Sequence, residues 1–405
     1  MIAYTAMHLR WQDQESESAN VSDVSIDHLH FRVAKKISQF DDVEVAMFYD
    51  FDWHIIYLYD YQLSNGVKYP FCYEYVLEIN DEQYRQALKQ FMMHMNAYIE
   101  TKHNDEVESI IDYPIGKDHD FYHSYDDLLK DLMPTLKMNA SYDDIPLGIS
   151  LNDPHHYEMF LNNRFETFRE LYFREYHLNQ HPIAKRQISA LYIGNSFCFH
   201  LFPQKDLLSI VNKAKNLQLS VVVVLPPLRQ RYINQYDKIL ISLVNRDVEI
   251  VVNDIGLWHH LREHYDFKIS LGILMNRHFK DSRLQYKQGH LEYLKEVDQF
   301  VDDIEVISSE TCGYHLQMHQ PYDLYFPKYL TNASGFCTMY ARCRHHNRGK
   351  QEEVIDCPRY CLKQHFLYPK HLRMIGQYNC LFGYDLEALE KPADDQLIRR
   401  LVFTC

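Results

Sequence analysis

At 405 residues the chain is too long for one ordinary domain, so we expect two domains, or one barrel with an appended domain. Hydrophobic residues make up 46% of the chain, which is enough for a sizeable core and argues against global disorder. The net charge of −14 argues against broad nonspecific binding to nucleic acid or to an anionic membrane, because both need a basic surface.

No segment of the sequence indicates a membrane or a secretory route. Residues 1–20 contain neither an apolar core nor a basic start, so they do not resemble a signal peptide. The longest aliphatic run, residues 219–228, is far too short to cross a bilayer. We therefore expect a cytoplasmic protein without membrane insertion. In that compartment, clustered members of the nine cysteines should be metal ligands or redox thiols rather than disulfides.

Residues 1–187 predict an α+β domain of unknown role. Residues 23–39 carry apolar positions at helical spacing. Aromatic and β-branched runs then predict three strands, with a turn at Asn65-Gly66. These runs are residues 43–51, 53–63 and 69–79.

The rest of this predicted domain is helical and turn-rich. Residues 80–103 have an amphipathic pattern, with Asn80 or Asp81 as the helix cap. Residues 104–155 are acidic and rich in turn formers. Residues 157–178 predict a second long helix, in which an aromatic stripe indicates core packing.

From residue 188 the pattern changes to strands that alternate with helices. The predicted strands are residues 189–194, 219–227, 248–254, 268–276, 304–309 and 322–330. Apolar strands separated by helices predict an α/β domain with a parallel sheet that is buried on both faces. Only about six βα units fit, so residues 188–405 predict a TIM-type barrel that is incomplete or takes strands from other segments. No phosphate-loop or Rossmann glycine motif is present, which removes the main support for nucleotide-binding folds.

Polar residues and cysteines follow several predicted strands directly, where barrel enzymes place their chemistry. Asn253-Asp254 comes at a strand end and could bind a polar substrate group or act as an acid–base pair. The alternative is a turn and helix N-cap, which these residue types form well. Cys198 and Cys337 also follow predicted strands.

Residues 334–361 contain four cysteines, namely Cys337, Cys343, Cys357 and Cys361, and the last two form a C-P-x-x-C run. Thiolates at such short spacings suit a metal or an iron–sulfur cluster better than an apolar core. Zinc is the alternative to a cluster, because four cysteines can also close a tetrahedral site.

A second metal motif occurs upstream. His260, Glu263 and His264 match the inverted zinc-peptidase pattern H-x-x-E-H, in which both histidines share one helix face and the glutamate is the general base. This pattern predicts a metal-dependent peptidase or hydrolase as an alternative function. The chain has 24 histidines, so a solvated helix face is the competing interpretation.

A set of short segments in the C-terminal half together resembles a known family. The segments are YIGNSFC at 192–198, VVNDIGLWHHL at 251–261, SLGILMNRHFKDSR at 270–283, NASGFC at 332–337 and CPRYC at 357–361. They are similar to the peptidase family known as U-thirty-two. Its members include proteins of oxygen-independent ubiquinone hydroxylation and proteins that hydroxylate ribosomal or transfer RNA bases.

The resemblance implies a TIM-type barrel with a [4Fe–4S] cluster, and oxygen-independent hydroxylation or a related redox modification of a small molecule or RNA base. It implies Cys337, Cys357 and Cys361 as cluster ligands and Cys198 as the fourth, with Cys343 as the substitute. The related ubiquinone proteins act as a heterodimer, so a protein partner is also implied. A non-catalytic partner protein with a structural cluster is a further alternative.

Overall fold

The computed structural model describes residues 6–11, 18–33, 36–37, 43–49, 52–69, 72–104, 120–227, 229–275, 306–310, 321–392 and 397–405. These residues form two compact units. The first contains the described residues up to 104, and the second contains those from 120 onward. The predicted boundary at 187 and 188 therefore falls inside the second unit.

The first unit is an antiparallel sheet with one long helix. Its strands are β1 (Ala6–Trp11), β2 (Ser18–Val24), β3 (His28–Val33), β4 (Val43–Tyr49), β5 (Asp52–Tyr57), β6 (Tyr61–Leu63), β7 (Val67–Lys68) and β8 (Tyr73–Ile79). They follow the order β5-β4-β1-β2-β3-β8-β6, and β7 also pairs with β8. Helix α1 (Glu82–Asn104) contributes Tyr84, Leu88 and Phe91 to the core beneath the sheet.

Two sequence predictions for this unit have opposite outcomes. The helix indicated by the apolar spacing of residues 23–39 is wrong, because this segment supplies the end of β2 and all of β3. Leu29, Phe31 and Val33 are buried at a spacing of two, as in a strand with one face on a core. The helix after residue 80 is confirmed, and Asp81 Oδ1 caps it by accepting from the N–H of Gln83 at 2.8 Å.

The second unit is a closed barrel of eight parallel strands. In chain order they are β9 (Leu147–Leu151), β10 (Ile188–Gly194), β11 (Ser220–Val224), β12 (Glu249–Val252), β13 (Lys268–Leu271), β14 (Val306–Glu310), β15 (Tyr322–Ala333) and, after an excursion, β19 (Ile398–Thr404). Each strand pairs in parallel with the next, and β19 pairs with β9 to close the circle. The TIM-type fold predicted from the sequence is confirmed, and the barrel is complete.

The closure corrects the predicted domain boundary. All six strands predicted after residue 188 occur, with ends shifted by a few residues. The two remaining barrel strands, β9 and β19, were not predicted from the sequence. Because β9 lies between β10 and β19, the barrel begins well before residue 188.

Helices surround the barrel strands. They are α2 (Tyr125–Leu132), α3 (Pro154–Asn162), α4 (Phe165–Glu175), α5 (Leu207–Asn216), α6 (Ile233–Leu243), α7 (Ile255–His264) and α8 (Thr338–His345). The single helix predicted at 157–178 is therefore two helices, α3 and α4. No helix within the described ranges is long and apolar enough to cross a membrane.

The excursion between β15 and β19 extends the sheet beyond one end of the barrel. Three short strands, β16 (Phe366–Leu367), β17 (Met374–Gln377) and β18 (Cys380–Tyr384), form an antiparallel layer on the far half of β15. This layer rises at the carboxyl ends of the barrel strands, where barrel enzymes bind their substrates.

The opposite end of the barrel is closed by an ionic network. Arg399, near the start of β19, donates to Glu249 at 2.7 and 2.9 Å and to Asp323 at 2.6 and 2.8 Å. The hydroxyl of Tyr192 donates to Asp323 at 2.5 Å. Paired charges at the amino ends of the strands indicate a structural role for this end.

Candidate functional site

Four of the five singled-out cysteines line one cavity at the carboxyl ends of the barrel strands. Cys198, Cys337, Cys357 and Cys361 all border this cavity of about 170 Å³, which we call the cysteine cavity. Cys198 follows β10 and Cys337 follows β15, while Cys357 and Cys361 come from the segment between α8 and β16. Residues from three separate parts of the sequence therefore meet at the predicted face.

Cys198 is placed by a buried asparagine. Asn195 Oδ1 accepts from the N–H groups of Phe197 and Cys198, each at 2.9 Å. Its Nδ2 donates to the carbonyl of Asn152 at 2.9 Å, which ties the loop after β10 to the loop after β9. Asn195 is 1% exposed, so these bonds are protected from water and fix the turn that carries Cys198.

Cys337 is the N-cap of α8. Its Sγ accepts from the N–H of Tyr340 at 3.4 Å. The partial positive charge at a helix N-terminus partly offsets the cost of a buried thiolate at this position. The preceding loop is held by Asn379, whose Nδ2 donates to the carbonyl of Ser334 at 2.6 Å.

Cys357 and Cys361 lie on one tight turn. Arg359 between them has a positive φ of 59°, and its N–H donates to Cys357 Sγ at 3.4 Å. His200 Nε2 donates to the carbonyl of Val354 at 3.0 Å and so holds this segment against the loop of Cys198. Cys361 is buried, at 5% exposure.

Burial changes the acidity of these thiols. It raises the pKa of Cys198 to about 12 and also raises the pKa values of Cys337 and Cys361. For Cys361 the neighbouring thiols of Cys198, Cys337 and Cys357 add to the increase. Such thiols keep their protons unless a cation compensates the negative charge, as a metal ion or an iron–sulfur cluster does.

Cys343, the substitute ligand suggested by the sequence, lies elsewhere. It is on α8, and its Sγ is 3.8 Å from Met339 Sδ. It is not among the residues that border the cysteine cavity. Cys198, and not Cys343, therefore borders the same cavity as Cys337, Cys357 and Cys361.

Asn253 and Asp254, the predicted substrate-side pair, make structural bonds at the end of β12. Asn253 Nδ2 donates to the carbonyl of Leu225 at 2.9 Å, and its Oδ1 accepts from the N–H of Leu274 at 3.3 Å. Asp254 caps α7 by accepting from the N–H of Leu257 at 2.8 Å. Neither residue borders the cysteine cavity, and these contacts match the turn-and-cap interpretation.

The H-x-x-E-H residues lie on α7 on the outside of the barrel. His260 Nε2 is 2.6 Å from Asp237 Oδ1, and His264 Nδ1 is 3.0 Å from the carbonyl of His260. Glu263 and His264 are exposed. The described residues form no three-ligand group around this pair, so the geometry does not favour the metallopeptidase alternative.

A second cavity, which we call the mouth cavity, contains functional candidates that sequence reasoning missed. It has a volume of about 40 Å³ and shares Phe197 and Tyr378 with the cysteine cavity. Its wall includes Glu310 and Lys328, which are only 5% and 4% exposed. Buried ionisable groups beside a cleft are frequent in functional sites.

Lys328 is the less expected of these two charges. Its Nζ donates to Gln377 Oε1 at 2.7 Å and lies 4.4 Å from the centre of the Phe382 ring. The ammonium group is thus held by an amide oxygen and an aromatic face, and burial lowers its pKa to about 8. A lysine within the predicted strand 322–330 was the signal in the sequence that could have found it.

The chain matches no protein-family model, no curated protein and no solved structure. The geometry of the two cavities is therefore the basis for a functional proposal.

Proposed function

We propose that Cys198, Cys337, Cys357 and Cys361 bind a [4Fe–4S] cluster, and that the protein catalyses an oxygen-independent redox modification, such as hydroxylation, of a small molecule or RNA base. One observation carries the proposal, namely that four thiols from three segments border a single cavity at the carboxyl face of a closed barrel. A set of four thiolates is the usual donor set of such a cluster.

The four thiols are not already arranged as the ligands of a single zinc ion. Zinc–sulfur bonds of about 2.3 Å place tetrahedral ligand sulfurs only about 3.8 Å apart. In the part of the chain that the structure describes, no three cysteine sulfurs all lie within 4.8 Å of one another. A cube of four irons holds its thiolates farther apart than one ion does, so it does not require three sulfurs so close together.

The surroundings of the thiols suit a redox centre. The N–H groups of Tyr340 and Arg359 donate to Cys337 and Cys357, and such bonds raise the reduction potential of a cluster. Phe197 and Leu274 contribute apolar surface to the same wall. A bound cluster would supply one-electron transfer or a Lewis-acidic iron for the substrate.

The mouth cavity is the proposed substrate side. Phe197 and Tyr378 border both cavities, so a molecule at the barrel mouth would lie next to the thiols. Lys328 could hold an acceptor group of the substrate, and Glu310 could accept or deliver a proton there. The 40 Å³ volume suits one small group of a ligand rather than a whole base.

Anaerobic purification followed by iron, sulfide and zinc analysis tests the proposal. We expect a brown protein with broad visible absorption and about four irons and four sulfides per chain. A colourless protein that carries one zinc ion would contradict the cluster and support the zinc alternative.

Serine substitutions then identify the ligands. We expect Cys198→Ser and Cys361→Ser to lose most of the iron, because each removes a thiolate from the cavity. Cys343→Ser is the matched control and should keep the iron content of the wild type, since Cys343 points to Met339. The opposite pattern, with loss in Cys343→Ser and retention in Cys198→Ser, would exchange the fourth ligand.

A further inference from the structure

The exposed face of the N-terminal sheet brings two histidines and an aspartate together. Asp23 on β2 lies directly opposite His30 on β3, and His28 is two residues before His30 on the same face. One ligand atom from each of Asp23, His28 and His30 lies within 4.8 Å of the other two. Among the described residues, no other set of three potential metal ligands converges so closely.

A neighbouring carboxylate orients the ring of His28. Asp27 Oδ1 and Ser25 Oγ each lie 2.8 Å from His28 Nδ1, and the Ser25 hydroxyl donates to the same Asp27 oxygen. A carboxylate can only accept, so in the neutral ring this contact favours the tautomer that has its proton on Nδ1 and its lone pair on Nε2. A histidine ligand with its second nitrogen bonded to a carboxylate is the common arrangement at protein metal sites.

The turn that carries Asp27 and His28 is held by one internal hydrogen bond and by two from other elements. Within the turn, the N–H of Ser25 donates to the carbonyl of His28 at 2.8 Å. The N–H of Ile79 on β8 donates to the carbonyl of Asp27 at 2.7 Å, and the hydroxyl of Tyr84 on α1 donates to the carbonyl of Ser25 at 2.8 Å. The ligand geometry is thus set by the fold rather than by a free loop.

The electrostatic environment favours a cation. His28 and His30 border an open cavity of about 520 Å³ whose wall also contains Asp60 and Glu78. Glu78 lies opposite His28 in the sheet. Arg85 is the cation on this wall, and it donates to the side-chain oxygen of Asn80 at 2.9 Å.

We propose that Asp23, His28 and His30 bind a divalent first-row transition metal ion, with its remaining positions open to water in the cavity. Two imidazoles and one carboxylate suit zinc or iron(II), whereas calcium and magnesium prefer an all-oxygen set. This site uses no cysteine and lies in the other compact unit, so it does not depend on the proposed cluster.

Zinc binding to the full-length protein with its cysteines intact tests the site. We expect wild type to bind one zinc ion per chain more than His30→Gln does, measured by competition with a chromophoric chelator. Zinc should also protect His28 and His30 from acylation by diethyl pyrocarbonate, as mapped by mass spectrometry. His264→Gln is the control for an exposed histidine outside the site and should bind as wild type does.

Further variants distinguish the three metal ligands from Asp27, which only positions His28. Asp27→Ala keeps all three ligands, so we expect unchanged stoichiometry with zinc affinity about 10- to 100-fold weaker. Cys361→Ser should leave the zinc protection of His28 and His30 intact. Equal zinc binding by wild type and His30→Gln, or protection that disappears only in Cys361→Ser, would overturn the proposal whatever the iron content proves to be.

Discussion

The buried ammonium of Lys328 lowers the stability of the folded protein. Its ammonium is buried on β15 and is held by Gln377 and the Phe382 ring. The pKa falls from 10.5 to about 8, a difference equivalent to about 3 kcal/mol against the charged form. A residue that destabilises the fold at the face where barrel enzymes work is a candidate for selection by function.

We expect Lys328→Met to raise the free energy of unfolding at pH 7 by about 1 to 3 kcal/mol, because it removes the buried charge but leaves the Gln377 oxygen unpaired. Between pH 8 and 10.5 the unfolded wild type holds a proton that the folded state has lost, so wild-type stability rises with pH there. The advantage of the variant should therefore be full below pH 8 and fade towards pH 10.5. Denaturant unfolding at pH 7 and pH 10 measures both values.

Lys213→Met is the matched control with the opposite expected sign. Lys213 Nζ donates to the carbonyls of Phe160, Leu161 and Asn163 at 2.7, 3.1 and 2.6 Å, around the end of α3. Losing these bonds should destabilise the protein by about 1 to 3 kcal/mol. If Lys328→Met also destabilises at pH 7, the surroundings compensate the ammonium and the case for a functional lysine fails.

Single residues of the site differ in how well the sequence indicated them. Cys198 was found because it follows a strand-like run, and the closed barrel brings it to the cavity that Cys337 also borders. Asn195 was not found, since its role depends on a bond to the carbonyl of Asn152 in another loop. Lys328 was not found because strand patterning predicts burial of its backbone but not the direction of one long side chain.

At the level of elements, the polar residues at the junction between β12 and α7 hold neighbouring strand ends and the following helix in place. Asn253 bonds to Leu225 after β11 and to Leu274 after β13, so it joins three consecutive strand ends. Gly272 packs against it so closely that a Cβ at this glycine would lie 2.2 Å from Asn253 Oδ1. Asp254 caps the following helix through the N–H of Leu257.

We expect Asn253→Ala to lower the free energy of unfolding by about 1 to 3 kcal/mol, because a buried carbonyl and N–H lose their partner. Asp254→Ala should cost about 1 kcal/mol through the lost cap, whereas Asp254→Ser keeps a capping oxygen and should stay near wild type. Thermal unfolding measures these changes. A loss of activity in Asp254→Ser, with stability and iron content unchanged, would contradict the structural assignment and restore the acid–base hypothesis.

At the scale of the whole molecule, the sequence predicted the barrel class but not its closure. The four valines of β11 are β-branched and buried, so the strand character of this run is local. β9 is five residues long within a turn-rich stretch, and β19 contains Arg399 and Arg400, whose charges are compensated by Glu249 and Asp323. Such strands are recognisable only when their partners are in place, so local patterns assigned β9 to the preceding domain.

The position of β9 makes the true start of the barrel testable by truncation. A fragment of residues 120–405 keeps all eight strands, and we expect it to be a monomer with a cooperative thermal transition. A fragment of residues 188–405 lacks β9, which leaves the edges of β10 and β19 unpaired and prone to association. It also lacks Tyr172 and Phe173 of α4, whose rings lie 6.1 and 5.7 Å from that of Phe403 on β19.

We therefore expect the 188–405 fragment to aggregate or to lack a cooperative transition. Size-exclusion chromatography and circular dichroism distinguish the two fragments, and iron content provides an independent readout. Both fragments contain all four proposed ligands, so the shorter one should also lose iron, because the loop of Cys198 depends on the bond from Asn195 to Asn152. A monomeric, cooperatively folded 188–405 fragment with full iron content would show that β9 is dispensable and that the barrel domain starts where the sequence pattern placed it.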